Sequence, residues 1–447
     1  MNTQSFDIST HVKNIIANRS LKDALMARLR AQRVPQRISV TDLLNLKIAY
    51  YRRKHPEIVP SLERQQLMWT GIGFHDIFGS LVSSEEYIEQ FVEVEGIVGM
   101  IDIFETIPVE VKTTANLSED ADLRLKRPSY LEQLGIYCSM VGVDEGKVIV
   151  YQRETPAELS APLIVFDVRF SNIQAILQEM IRRRDLLQQA ITSGDPSKLP
   201  KCPWQNFRCE YSDVCDCATS DIPTSYEIVD MVTTINHDKE APQKLLSRLT
   251  VQRTAELLRI NDVVFPRKAY FSRVQREELK DEDNIVPPDP RETLTSVERQ
   301  GFLRFLGDLL RYGPRGEAQR IPVNLSNVRD AVLLYRGLPT VVRATGLKSI
   351  VDRDQLPQVL SHYFLRLGFE CAISNSEAGR LVLYYRNIRQ EDSKLLIYDV
   401  TFRDLDMLKA EIERRADLII RATGFEELPA CPSWMCSYCK CRQSCGH

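Results

Sequence analysis

The sequence predicts an α/β fold made of two tandem domains, each a mixed β-sheet flanked by helices and each ending in a cysteine-rich tail. Three observations favour this fold class. The chain has 447 residues, enough for two or three domains with separate cores. Long stretches of it occur twice. Within each copy, runs rich in β-branched residues alternate with amphipathic helical runs, the order typical of mixed α/β domains.

The duplication is clearest near the end of each copy. Two pairs of stretches align: residues 146–153 with 379–386 and, without a gap, residues 163–187 with 395–419. Each copy then begins its tail in a similar way, with LPKCPW or LPACPSW. The turn-rich segment CATSDIPTSY (217–226) lies between the copies. We therefore expect one domain over residues 1–217 and a second over residues 226–447.

The elements of the first copy are expected in a simple order. A helix begins at Thr41 or Asp42, either of which can cap it. Three strands, a helix and two further strands follow, at about 91–95, 97–104, 107–113, 128–141, 147–152 and 162–168. The closing helix carries apolar residues at a spacing of three to four and runs into three consecutive arginines, 182–184.

Composition limits the classes of function. Apolar residues make up 43% of the chain and charged residues 27%, as in an ordinary soluble globular protein. No apolar run approaches the ~20 residues of a membrane span, and the N-terminus MNTQSFDIST lacks a signal-peptide pattern. We expect a cytoplasmic protein with no membrane partner. Lys and Arg (58) nearly balance Asp and Glu (61), so any nucleic-acid binding has to come from local basic patches.

The apolar stretch FVEVEGIVGMIDIFETIPVEVKTT (91–114) carries charges at fixed places. Glu110 and Lys112 are two apart on one expected strand and share a face, and Asp102 lies on the preceding strand across a tight turn. Buried charges without partners are costly. A divalent cation held by both carboxylates and a backbone carbonyl would offset that cost, and oxygen ligands suit Mg²⁺ or Mn²⁺. Taken alone, an E-x-K pattern is more often a solvated strand face.

Together with two further motifs, this stretch resembles a known family. GMIDIFETIPVEVKTT (99–114) resembles the core of RecB-type PD-(D/E)XK nucleases, which have G-x-x-D, a turn and E-x-K. EQLGIY supplies a Q-x-x-x-Y pattern as Gln133 and Tyr137, and GIGFHDIFG supplies an upstream histidine as His75. The order is similar to that of CRISPR-associated RecB-like exonucleases and of the AddB-type nuclease domain, over about residues 38–216. The resemblance implies restriction-endonuclease-like domains.

The resemblance also implies a role for each residue. One or two Mg²⁺ or Mn²⁺ ions would be held by Asp102, Glu110, the carbonyl of Val111 and His75. Lys112 would orient or stabilise the attacking water, and Gln133 and Tyr137 would position the DNA strand or the lysine. Phosphodiester hydrolysis in the first domain would follow, as single-stranded DNA exonuclease activity in CRISPR adaptation or in DNA recombination and repair.

Two other functions remain open. The chain could be a non-catalytic DNA-binding scaffold or partner subunit, or a regulator centred on its cysteine tails. The complete set of site residues favours the enzyme, because a scaffold has no need of it. The DNA would be single-stranded or have free ends. The sequence has no G-x-x-x-x-G-K-[ST] motif, so a helicase, like any CRISPR adaptation protein, would be a separate partner.

The second copy lacks the charged residues of the first. PVEVKTT (108–114) becomes PTVVRAT (339–345), which replaces Glu110 by Val341 and Lys112 by Arg343. An ungapped match puts Leu333 at the position of Asp102, although Asp330 is nearby. Gln133 is matched with Val359, and Tyr137 has a counterpart in Tyr363. Without carboxylates a site cannot hold the metal, so we expect the second domain to be a pseudo-nuclease that binds DNA or stabilises its partner domain.

Nine of the 11 cysteines lie in the two tails. They are Cys202, Cys209, Cys215 and Cys217 in the first tail, and Cys431, Cys436, Cys439, Cys441 and Cys445 in the second. Four thiolates suit either zinc or a [4Fe–4S] cluster. The C-x2-C-x5-C spacing of the second tail is similar to that of iron–sulfur members of the nuclease family, which favours iron–sulfur there, although Leu46 stands near the place of that family's fourth cysteine. Structural thiols are the alternative.

Aromatic and basic residues alternate in KIAYYRRKHPEI (47–58). Tyr50 and Tyr51 could stack on bases while Arg52, Arg53 and Lys54 meet phosphates. A solvated helix face is the equally weighted alternative.

Overall fold

The computed structural model describes most of the chain. The described segments are residues 6–30, 35–115, 117–118, 121–153, 162–202, 209–215, 222–223, 227–250, 257–278, 290–311 and 318–432.

The chain forms two compact units that differ from two consecutive halves. The first unit comprises Arg30–Val251 and Pro288–Phe305, and the second comprises Met1–Leu29, Gln252–Pro287 and Leu306–His447. The expected boundary at 217–226 therefore does not separate them. The N-terminal residues join the unit of the second copy, and the residues just after the expected boundary join the unit of the first.

Helices and strands follow one another along the chain as expected for an α/β protein. The strands are β1 Val12–Ala17, β2 Ile38–Ser39, β3 Ile88–Val94, β4 Ile97–Phe104, β5 Pro108–Thr114, β6 Glu145–Gln152, β7 Leu163–Phe170, β8 Val232–His237, β9 Ala318–Leu325, β10 Val328–Tyr335, β11 Leu338–Thr345, β12 Ala378–Tyr385 and β13 Leu395–Phe402. The helices are α1 Arg19–Arg30, α2 Val40–Leu43, α3 Leu46–Lys54, α4 Leu62–Val82, α5 Leu123–Lys126, α6 Pro128–Val141, α7 Ile173–Ser193, α8 Ala241–Thr250, α9 Ile260–Val264, α10 Pro266–Glu278, α11 Pro290–Arg311, α12 Leu356–Val359, α13 Ser361–Ile373 and α14 Leu405–Arg421.

Each unit contains one mixed sheet. In the first unit the strand order is β2-β4-β5-β6-β7-β8, with β3 also paired to β4. In the second it is β1-β13-β12-β11-β10-β9. The central pairs β5–β6 and β11–β12 are parallel, and the hairpins on either side of them are antiparallel. Two mixed sheets with flanking helices confirm the α/β class.

The two copies exchange their leading strands. β1 directly precedes the first copy but pairs with β13, the last strand of the second. β8 directly precedes the second copy but pairs with β7, the last strand of the first. Each exchanged strand supplies hydrogen-bond partners to a sheet edge that would otherwise be open. This exchange explains why the compact units are not consecutive halves.

Helices cover both faces of the sheet in the first unit. One core lies between the sheet and α2, α3, α6 and α7, and includes Ile97, Leu134 and Phe166. The other lies on the opposite face and includes Phe74 and Phe78 of α4 together with apolar residues of α8 and α11. Among the described helices, none combines the length and apolar character needed to cross a membrane.

Sheet register aligns the two copies residue by residue. Glu110 and Lys112 lie opposite Val148 and Val150. Val341 and Arg343 lie opposite Leu381 and Leu383, so these two substitutions are placed as expected.

The expected match between the following helices is wrong. A side chain on Gly146 would meet Leu134 and Cys138, and one on Gly379 would meet Leu367 and Cys371. Aligned on these contacts, the counterpart of Gln133 is Arg366 rather than Val359. The counterpart of Tyr137 is Glu370, and Tyr363 corresponds to Tyr130. The expected match placed the helix too early in the second copy, because the connection before this helix is longer there and the match required a shorter one.

A buried arginine fastens the closing helix in both units. Arg183 of α7 pairs with Glu179 at 2.6 Å and donates to the carbonyl of Leu43 at 3.3 Å. In the second unit Arg415 of α14 pairs with Glu411 at 2.6 Å and donates to the carbonyl of Val263 at 3.1 Å. The RR motif of the repeated sequence is therefore structural.

Helices α4 and α11 cross with their backbones in contact. A Cβ on Gly301 would clash with the carbonyl group of Gly73, and one on Gly73 would clash with that of Gly301. Only glycine allows this approach. Tyr151 of β6 strengthens it by donating to Glu298 of α11 at 3.1 Å.

The crossing predicts opposite effects for two glycine substitutions on α11. Alanine normally stabilises a helix by about 0.5–1 kcal/mol relative to glycine. Gly307→Ala should show this gain, since no atom of the described residues lies within 4 Å of its Cβ. Gly301→Ala should instead cost about 1–3 kcal/mol, because overpacking displaces a helix. Urea unfolding of both variants tests this, and equal effects would contradict the crossing.

Candidate functional site

The candidate site lies where β4 and β5 part. The two strands pair only at Ile103–Val109 and Phe104–Pro108. Beyond these pairs Asp102 lies on β4, and its Oδ2 accepts a hydrogen bond of 2.7 Å from the backbone N–H of Val111. Because β4 and β5 are not paired at this position, the side chain of Asp102 accepts this hydrogen bond in place of a backbone carbonyl of β4. This bond holds Asp102 and the Glu110–Lys112 segment together, as the sequence predicts.

Lys112 is the centre of the polar contacts. Its Nζ donates to Glu110 Oε1 and, at 2.9 Å, to Oε1 of Gln133 on α6. It also lies 5.8 Å from the ring centroid of Tyr130. Glu110 and Lys112 point toward α6 because residues two apart on a strand share a face. Gln133 and Tyr137 are one helical turn apart and meet each other there.

His75 reaches the site from the opposite face. It follows the buried Phe74 on α4, and its Nδ1 lies 3.6 Å from Oδ1 of Asp102. Asp102 is therefore contacted from two sides, by a histidine on α4 and by the backbone of β5. All the predicted site residues of the first domain meet around this one opening.

Burial and neighbouring charges set the ionisation of these groups. Burial raises the pKa of Glu110 to about 8, Lys112 opposes that rise, and Asp102 adds to it. The pKa of Lys112 is raised: burial would lower it, but the charges of Glu110 and Asp102 outweigh burial. Burial would raise the pKa of Asp102, but the contact with His75, the charge of Lys112 and the hydrogen bond from the backbone N–H of Val111 together lower it. Asp102 is thus the permanent anion of the site and Glu110 the one that a bound cation would ionise.

One atom of the site indicates a place for a cation. Glu110 Oε2 is buried and has no hydrogen-bond partner in the described structure, although a buried carboxylate oxygen normally has one. In the described part of the chain no three His, Cys, Asp or Glu side chains gather as a metal-binding group. Mg²⁺ commonly takes only one or two carboxylates and completes its shell with water and substrate oxygens. The two carboxylates therefore fit Mg²⁺ or Mn²⁺.

The sequence did not point to three charged residues beside the site. Glu89 of β3 has a positive φ of 49°, and burial, then Asp76 and Asp102, raise the pKa of its carboxyl. Asp76 forms an ion pair of 2.6 Å with Arg304. Asp76 could have been found from its place next to His75. Arg304 could not, because its helix α11 belongs to the second copy in sequence.

The predicted base-stacking patch is not a surface. Tyr50 and Tyr51 are buried in the core of the first unit. Arg52 and Arg53 form ion pairs of 2.6 and 2.8 Å with the buried Asp42. The two tyrosine rings are therefore core residues, and the two arginines already pair with Asp42, so these four side chains are not placed to contact a nucleic acid.

The cysteine tails are only partly described. Cys202 is buried, and its Sγ donates to Asn45 Oδ1 at 3.3 Å, one residue before Leu46. Cys209 and Cys215 pack against the core, and burial raises the pKa of the Cys209 thiol. These three and Cys431 form no disulfide. The remaining tail cysteines, Cys217, Cys436, Cys439, Cys441 and Cys445, lie outside the described residues.

The raised pKa of Glu110 predicts a pH effect on stability in the absence of metal. The pKa is about 8 in the fold and 4.5 for a model carboxyl, so the unfolded chain releases this proton first. The stability contribution of Glu110 is present below pH 4.5 and is lost as pH rises toward 8. In EDTA, the free energy of unfolding of Glu110→Gln minus that of wild type should therefore rise with pH between these limits, by at most about 1.4 kcal/mol per pH unit. Urea unfolding at several pH values measures this, and a pH-independent difference would contradict it.

Comparison with known proteins gives little. No protein-family model matches the chain, and no curated protein matches it. A solved structure described as the crystal structure of SSO0001 is similar, at 18% identity, over 44% of this chain and 94% of that one, with a TM-score of 0.30. A similarity of this degree carries no argument about fold or function.

Proposed function

We propose that the first unit is a metal-dependent deoxyribonuclease of the RecB-like PD-(D/E)XK type, with a restriction-endonuclease-like fold. The observation that carries the proposal is the buried Glu110, which has one oxygen on Lys112 and the other without a partner. A folded chain keeps such a carboxylate at a cost, since burying a charge or an unbonded polar atom is unfavourable. A site that binds a divalent cation next to a reacting phosphate accounts for this cost.

The donor set supports Mg²⁺ or Mn²⁺ as the cofactor. Asp102 and Glu110 would hold the cation, with the carbonyl of Val111 and His75 as the further expected ligands. A bound cation would supply charge neutralisation at the scissile phosphate and make water a stronger nucleophile. In the structure His75 is held by Asp102 at 3.6 Å, so it either orients this carboxylate or joins it as a ligand.

The other residues position charge and protons. Lys112 Nζ is held by Glu110 and Gln133, which leaves its third N–H for the attacking water or a phosphate oxygen. Its raised pKa keeps it cationic, so it stabilises negative charge and does not act as a base. Gln133 fixes this ammonium, and Tyr137 fixes Gln133 through their hydrogen bond.

The DNA substrate is proposed to be single-stranded or to have free ends, with exonuclease action in CRISPR adaptation or in recombination and repair. The second unit is proposed to be a pseudo-nuclease, because Val341 stands where Glu110 stands in the first. The cysteine tails are proposed to hold a [4Fe–4S] cluster or zinc, and the contact of Cys202 with Asn45 supports a role in fastening the tail to α3.

Cleavage of end-labelled DNA tests the proposed activity. With Mg²⁺ or Mn²⁺, wild type should cut single-stranded DNA, and Lys112→Ala should lose about 10²-fold or more, the scale of removing one group that stabilises transition-state charge. Lys147→Ala is the matched control: Lys147 lies on the neighbouring strand β6 and pairs with Asp167 at 2.5 Å. No metal-dependent cutting by folded wild type, or equal loss in both variants, would move the proposal to a DNA-binding scaffold.

Thermal unfolding tests metal binding without any need for activity. A cation that binds only the folded state raises the free energy of unfolding, by about 2.7 kcal/mol at a cation concentration of 100 times its Kd, and therefore raises Tm. Wild type should show this shift with Mn²⁺, whereas Asp102→Asn should not. Lys112→Met should keep the shift, because it removes a competing positive charge and no ligand. A shift of the same size in Asp102→Asn would place the metal elsewhere.

A further inference from the structure

The second unit carries a cation at the position of the first unit's site. Arg343 of β11 occupies the register position of Lys112 and lies partly buried beneath the surface. Its guanidinium lies 6.0 Å from the ring centroid of Tyr363, as Lys112 lies over Tyr130. The polar frame of the site has therefore been kept although the carboxylates have been lost.

Arg343 has no direct carboxylate partner among the described residues, although the charge of Glu370 acts on it from beyond ion-pair distance. Its one hydrogen bond among the described residues goes to the carbonyl of Val342 at 2.8 Å, and no described carboxylate lies within ion-pair distance of it. Glu110, which pairs with the equivalent lysine, is replaced by Val341. Arg343 therefore lacks the direct ion pair that Lys112 has.

A second arginine, Arg366, occupies the carboxylates near Arg343. Arg366 stands at the position of Gln133, so a cation has replaced the neutral amide that held the lysine. Its guanidinium pairs with Glu370 at 2.7 Å and lies 4.0 Å from Asp330, so both nearby carboxylates are already engaged with Arg366. Burial, then the charge of Arg366, lowers the pKa of Arg343 to about 10, which leaves it cationic at neutral pH. Arg343 thus faces the like charge of Arg366 with no carboxylate in direct contact, an arrangement that an added anion would stabilise.

We propose that the arginine cluster formed by Arg343 and Arg366 binds a phosphate group of a nucleic-acid backbone. Guanidinium matches phosphate with two parallel N–H donors, and an arginine stacked on an aromatic ring is already oriented for this. The substitutions thus convert a site built for a cation into one built for an anion. His362 contacts Tyr363, with ring centroids 4.1 Å apart and ring planes at 55° to each other.

The ligand class rests on the proposed function in one respect: the first unit, as a nuclease, makes a nucleic acid the source of the phosphate. Phosphate binding by the arginine cluster does not require catalysis. Binding can therefore be measured in EDTA, where metal-dependent cutting is absent and failure of the two proposals can be told apart.

The test is fluorescence anisotropy of a labelled single-stranded oligonucleotide with the full chain in EDTA. Arg343→Met should weaken binding about tenfold and reduce the slope of log affinity against log salt by about one, as expected when one phosphate contact is lost. Arg343→Lys should keep most of the affinity. Arg320→Gln, which removes an exposed arginine from β9 of the same sheet, should change little.

A second measurement separates the two sources of phosphate and guards against misfolding. The Tm of Arg343→Met without phosphate should equal or exceed that of wild type, because the variant removes a charge that has no direct ion pair. Oligonucleotide affinity equal to that of Arg320→Gln would overturn the proposal. If inorganic phosphate raises the Tm of wild type but Arg343→Met binds the oligonucleotide normally, the arginine cluster binds free phosphate. The proposal that it binds a nucleic-acid backbone would then be overturned.

Discussion

The contact between Lys112 and Glu110 is the constraint on which the candidate site depends. A half-buried lysine and a buried carboxylate meet between β5 and α6, and neither would be tolerated there without the other. Because Glu110 uses one oxygen for this contact, the other is left for a cation. Because Lys112 also donates to Gln133, the helix is held in one register over the strand. The pair thus places a positive and a negative charge side by side where β4 and β5 separate.

The framework around this pair is independent of the charges. Arg183 and Arg415 fasten equivalent helices to equivalent backbone carbonyls, although only one unit keeps the carboxylates. Reciprocal exchange of β1 and β8 gives each sheet its last strand. Loss of the site in one copy therefore leaves its fold intact, since hydrogen bonds and burial elsewhere hold the sheet. This separation of framework and site explains how one copy could change its polar residues freely.

Local pattern predicted the elements of the first copy well, and it failed where the outcome depends on distant parts of the chain. The helix at 128–141 and the strand at 97–104 have the bounds expected, because proline starts the helix, the left-handed Gly142 ends it, and alternation defines the strand. Pairing of β1 with β13 depends on which open edge a strand finds, which no local pattern encodes. The candidate site was predictable from motif order. Arg304 was not, because it reaches the site through helix packing across sequence copies.

The two units show how the sign of a site follows from very few positions. In the first, Asp102 and Glu110 outnumber Lys112, and an unbonded carboxylate oxygen remains. In the second, valine removes the carboxylate while arginine keeps the positive charge in the same register, above the same aromatic ring. The direct contact that is missing among the described residues therefore differs in kind: Oε2 of Glu110 has no hydrogen-bond partner in the first unit, and Arg343 has no ion pair in the second. A polynucleotide would supply a partner for each, since its phosphates are anions and carry divalent cations with them. On the proposed function, this accounts for an arginine at the register position of Lys112.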